Sequence, residues 1–138
     1  MAEQSYESHA HRPTLTVIAA VFTFAAIVVF ATVAIRQPSL LSLGLLSLSF
    51  GVSTLVWISR VYTVRLQDRI IRIEMHGRLL RLGRDRDFGR LRTKQLTALR
   101  FASDAELPAL VDKTLAENLT PDQIKRAVTN WQADLYRT

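Results

Sequence analysis

The chain has 138 residues and no cysteine, and its 18 Lys and Arg outnumber 12 Asp and Glu to leave a net charge of +6. The missing cysteines exclude disulfides, thiolate nucleophiles and Cys-ligated zinc or iron–sulfur centres. The length is that of one small domain, and two uncharged blocks take so much of it that two separate water-soluble cores are excluded.

Residues 1–14 read as a polar N-terminal tail. His9 and His11 form an H-x-H pair there, but two ligands with no third at a fixed offset do not make a metal site, and none is expected. Leu15–Ile35 follows, 21 residues without one ionisable group. As a helix it reaches about 31 Å, the thickness of a hydrocarbon core. The stretch is too long for the apolar region of a signal peptide, and its flanks are wrong for one, so it reads as a retained span. Leu40–Ser59 is a second uncharged run of 20 residues. In lipid each run must satisfy its own backbone, which selects helix. Only Arg36, Gln37, Pro38 and Ser39 lie between them. Pro38 lacks a backbone donor and disfavours helix at Gln37, so the chain turns there and residues 15–59 form an antiparallel hairpin.

Neither span holds a His, Asp, Glu, Lys or Arg. Ion pathways, proton relays and haem sites need polar ligands inside the membrane, so none is expected in this hairpin, and no cofactor is expected either. Gly44, Ser47, Gly51 and Thr54 recur at helical spacing on the second span, and Thr16, Ala19, Thr23 and Ala26 do so on the first. Small residues let helix backbones approach closely in lipid. Two readings stand: the stripes pack the hairpin against itself, or Gly44, Ser47, Gly51 and Thr54 dock on a partner subunit or a second copy.

Charge is concentrated just after the second span. Residues 60–100 carry twelve Lys and Arg against Asp68, Glu74, Asp85 and Asp87, a balance of +8. Residues 1–59 balance to zero and 101–138 to −2. Basic residues near span ends stay in the cytoplasm. The expected location is a bacterial inner membrane, with both termini cytoplasmic.

Residues 60–92 read as a basic stalk. Nothing breaks the helix after span two, so one long helix is expected to leave the membrane and end near Gly83. Leu66, Ile70, Ile73 and Leu80 make one apolar face; Val64, Ile71, Met75, Leu79 and Leu82 make another, roughly opposite. A short β-rich segment is the alternative, since Val64 and Leu66 alternate with polar residues. Arg65, Arg69, Arg72 and His76 form a basic strip, and its arginines have three readings: topology enforcement, contact with anionic lipid head groups, or contact with an acidic partner. Charge alone also permits nucleic acid, but no recognised motif or aromatic stacking set accompanies it, and none is expected to bind.

Residues 93–138 read as a tail of short helices. Thr93 is the expected cap of the first, through about Ala102. Ser103-Asp104-Ala105-Glu106 has the pattern of a capping box, followed by Leu107, Leu110, Val111 and Leu115 at helical spacing. Pro108 predicts a distorted or later start. Thr120-Pro121-Asp122-Gln123 is a second box with proline at its favoured first position. Ile124, Ala127, Val128 and Trp131 mark the buried face of the helix it opens. So small a module needs a surface to pack on, and the stalk is expected to supply it. Asp104, Glu106, Asp112 and Glu117 suggest no catalytic arrangement, and no enzyme activity is expected.

The segments "QDRIIRIE", "QLTALRFASDAELPALV" and "IKRAVTNWQADLYR", behind two apolar spans, resemble an uncharacterised bacterial family of small two-span membrane proteins, a family of unknown function. The resemblance covers almost the whole chain. It implies the same layout and no activity. The expected fold is an all-α membrane protein: a two-helix transmembrane hairpin, a second span continuing into a basic cytoplasmic helix, then short C-terminal helices. The expected role is non-enzymatic, an accessory or scaffolding subunit of a larger membrane complex. Its partners would be other membrane subunits or its own copies. The alternative is a membrane-organising protein that binds anionic lipids through Arg65, Arg69 and Arg72.

Overall fold

The computed structural model describes residues 13–132. They are helical, with no strand among the described residues: α1 Thr14–Arg36, α2 Leu40–Arg81, α3 Asp85–Phe88, α4 Thr93–Leu99, α5 Leu107–Glu117 and α6 Pro121–Ala127. By length and composition, α1 and α2 are apolar enough to cross a membrane. The β alternative for the stalk is therefore wrong, since α2 runs through Val64 and Leu66 without a break.

Two compact units divide the described residues at 65/66. The first holds α1 and the apolar part of α2. Helix α1 ends at Arg36, ahead of Pro38. Ser39 and Ser42 then cap α2 reciprocally. The Ser42 N–H donates to Ser39 Oγ at 3.1 Å and the Ser39 N–H to Ser42 Oγ at 3.0 Å, which satisfies backbone donors that a helix start leaves open. The pairing of the helices is loose, for no residue of α1 is buried.

The second unit has a true core. Met75 and Leu79 from the last turns of α2 are buried with Leu91, Leu96, Leu99, Leu107, Val111 and Ile124. Ile71 and Leu82 pack at its edge. Of the two apolar faces read from the sequence, this is the one the helical tail covers. The helix stops where glycine permits it. Gly83 sits at φ 70, its N–H donates to Leu80 O at 3.1 Å, and the Arg84 N–H donates to Leu79 O at 2.8 Å. This is a Schellman ending, which closes the last carbonyls with a left-handed residue.

Three local expectations need correction. Thr93 does not cap α4: Arg92 takes the cap position, and its N–H donates to Gln95 Oε1 at 3.0 Å. The Ser103 box is half formed. The Ser103 N–H donates to Glu106 Oε1 at 3.1 Å, but Ser103 Oγ is buried without a partner. Helix α5 therefore starts at Leu107, and Pro108 falls in its first turn, where its missing donor costs nothing. Third, α6 stops at Ala127 and does not reach Trp131. The Thr129 and Asn130 N–H groups, which a longer helix would spend on its own carbonyls, donate to the Glu106 carboxylate at 3.1 and 3.2 Å. Trp131 instead bridges Ala102 as an isolated antiparallel pair and stacks on Phe101, ring centroids 4.7 Å apart. The box at Thr120 is complete, with the Thr120 N–H donating to Gln123 Oε1 at 2.8 Å and the Gln123 N–H returning to Thr120 Oγ1.

Candidate interaction surface

Most charged groups of the second unit are spent on its own architecture. The Arg78 guanidinium, projecting from α2, donates to Arg100 O at 3.0 Å, Ala102 O at 2.7 Å and Asp104 Oδ1 at 2.8 Å. It thereby closes the carbonyls left open where α4 ends. Arg84 pairs with Asp87 and, through both terminal nitrogens, with Asp112. Hydrogen bonding from Arg84 holds the Asp112 carboxyl below its ordinary range, and Asp112 in turn raises the guanidinium above its own. His76 pairs with Asp85 at 2.9 Å and stacks on Phe88. Asp104, Glu106 and Asp112 thus have structural work, and no group of three His, Asp or Glu able to hold a metal occurs among the described residues. His9 and His11 lie outside the described residues.

Glu106 collects the most donors. Burial pushes its carboxyl up, but the Thr129 hydroxyl at 2.6 Å and the Thr129, Ser103 and Asn130 N–H groups outweigh that, leaving it below the ordinary glutamate value. A depressed carboxyl contributes stability that is complete above the unfolded value, about 4.3, and is lost as pH falls through the folded one. Glu106→Gln should therefore melt lower than the parent at pH 7 and converge with it in the acid range below about 4.3. Melting curves from pH 7 down to pH 3 check this; a constant gap would show that the charge is not what binds these donors.

Arg65 and Arg69 are exposed on α2. Arg72 is partly committed, its Nη1 donating to Thr93 Oγ1 at 3.1 Å and its guanidinium lying 5.5 Å from the Phe88 ring centroid. Gly44, Ser47, Gly51 and Thr54 are all exposed, and a Cβ placed on Gly44 or Gly51 would meet nothing within 4 Å. They do not hold the hairpin together. The covered side of α2 instead runs through Ser42, Leu45, Leu46, Ser49, Ser53 and Val56, while on α1 it includes Thr16, Ala19, Thr23 and Ala26. Ser49 Oγ donates back to Leu45 O at 2.9 Å, which lets a hydroxyl sit there. Toward Arg60 the helices part into an open apolar groove of about 440 Å³, where Ser53 Oγ is buried without a partner.

Within the second unit, one apolar surface is open among the described residues. On the part of α2 that belongs to the second unit, Leu66, Ile70, Ile73 and Leu80 are 59%, 47%, 66% and 59% exposed. They form a single stripe opposite Met75 and Leu79. Burying such side chains is worth about 1.5–3 kcal/mol each, so the stripe is a strong candidate for contact.

The model of a Family of unknown function (DUF6526) matches residues 1–138. No curated protein and no solved structure matches the chain.

Proposed function

We propose that this chain, which belongs to that family of unknown function, is a non-enzymatic integral membrane protein that serves as an accessory or scaffolding subunit of a larger membrane assembly. The observation that carries the reading is the open stripe Leu66, Ile70, Ile73 and Leu80. It lies outside the uncharged runs, where lipid would cover it, and the chain's own helical tail packs on the other side. The open small-residue face Gly44, Ser47, Gly51 and Thr54 is a second place for a partner helix to approach closely. The location is the bacterial inner membrane, with both termini in the cytoplasm, argued from the excess of arginines after span two over the lone Arg36 of the turn.

Solubilisation in mild detergent followed by mass spectrometry tests the role. A membrane protein copurifying in fixed stoichiometry is expected. A preparation that retains anionic lipid selectively, with no protein partner, would overturn the subunit reading in favour of lipid organisation. That second reading rests mainly on Arg65 and Arg69, because Arg72 is engaged with Thr93. For topology, a reporter fused after Thr138 and one inserted at Gln37–Ser39 should report opposite sides, the former cytoplasmic. An exported C-terminus would reject the orientation.

A further inference from the structure

The spacing of the open stripe identifies what covers it. Leu66, Ile73 and Leu80 recur every seven residues, with Ile70 and Gly77 four residues after the first two. That is a heptad repeat with Leu, Ile and Leu at d and Ile and Gly at a. The opposite side of α2, at Met75 and Leu79, is buried in the unit's own core, whereas the a/d side is exposed among the described residues. Within parallel coils, isoleucine at a with leucine at d favours two strands; Ile70 with Leu66 follows that pairing, while Ile73 and Gly77 depart from it.

The flanking charges agree. In a parallel two-stranded coil, each g residue meets the e residue five positions on in the other helix. Arg69 stands at g and Glu74 at e, five positions apart. Both are exposed, and neither has an ion pair among the described residues. Within one helix they lie on opposite flanks of the stripe; across two parallel copies they would meet twice, related by the two-fold axis. At the next such pair, His76 and Arg81, the histidine is already bound to Asp85.

We infer that Leu66, Ile70, Ile73 and Leu80 form the seam of a parallel two-stranded coiled coil between two copies of this chain, registered by Arg69 of each copy on Glu74 of the other. The inference rests on the membrane reading for one point, the parallel direction: copies inserted the same way carry α2 the same way. Two heptads are marginal for association in water, and confinement in a membrane raises the effective concentration of the strands.

The chain has no cysteine, so single cysteines report cleanly. Full-length Ile73→Cys in native membranes should form a disulfide-linked dimer on mild oxidation, while Ala116→Cys, exposed on α5, should not. Arg69→Glu should weaken dimerisation about tenfold, from two lost attractions that become repulsions. The double exchange Arg69→Glu with Glu74→Arg should restore it. No self-crosslink at residue 73, or a double exchange no better than Arg69→Glu alone, would overturn the seam. A stoichiometric foreign partner without the 73–73 crosslink would sink the seam and leave the subunit reading standing. The crosslink with no foreign protein present would do the reverse.

Discussion

Leu79→Ala is expected to cost the second unit about 2–5 kcal/mol, the usual range for emptying a fully buried leucine site. Leu79 is fully buried among side chains that come from α4 and α5 as well as from its own helix. A unit of this size has roughly 3–10 kcal/mol to lose, so the variant should melt far earlier. Amide exchange in α4, α5 and α6 should accelerate, although the substitution lies in α2. Leu66→Ala, on the open face of the same helix, should leave that exchange as it was, within the ~0.5 kcal/mol of a surface change. If α4–α6 exchange in Leu79→Ala matches the parent, the tail is a free-standing module and the last turns of α2 are not part of its core.

Arg78→Met should have the next largest effect, roughly 2–4 kcal/mol, because the carbonyls of Arg100 and Ala102 lose a charged donor at once. Methionine preserves most of the packing of the stem, so the loss isolates the guanidinium. Arg78→Lys should recover only part of it, since an ammonium cannot span a fork of acceptors. Asp104→Asn should cost less than about 1 kcal/mol, for that carboxylate is largely exposed. Denaturant midpoints for the three variants order these contributions. A Met variant as stable as the parent would mean that water serves the two carbonyls equally well.

The two long apolar helices, α1 and the first part of α2, were legible because a run of 20 uncharged residues has to satisfy its own backbone, and Pro38 marks the break between them. The stalk's end was legible because Gly83 can adopt the left-handed conformation that a helix stop needs. What failed was local motif reading where a distant side chain competes. Ser103 and Glu106 have the spacing of a capping box, and Ile124 to Trp131 that of a continuous helix. Yet Glu106 reaches residues 129 and 130, which goes with the end of the second pattern, while in the first Ser103 Oγ finds no partner although Glu106 still accepts from the Ser103 N–H. No pattern near Trp131 announces a carboxylate from more than twenty residues upstream. The small-residue stripes divided: Thr16, Ala19, Thr23 and Ala26 lie on the covered side of α1, whereas Gly44, Ser47, Gly51 and Thr54 lie on the open side of α2. Helix α2 offers two such stripes, Ser42–Ser49–Ser53 and Gly44–Gly51–Thr54, and spacing alone does not say which meets α1. The heptad of Leu66–Leu80 was visible as an apolar face. Its solvent side emerged only once Met75 and Leu79 were seen to be taken.

The core of the second unit also sets a timetable. Its first members, Ile71, Met75 and Leu79, belong to α2, whereas Ile124 is translated about 45 residues after Leu79. At about 5–20 residues per second, synthesis leaves that face bare for roughly 2–9 s. During the interval the nascent helix displays apolar side chains on two opposite sides, of which, among the described residues, the Met75–Leu79 side is later covered. The protein therefore passes through its most adhesive state before α6 exists, and nascent-chain chaperones have a defined window in which to act on it.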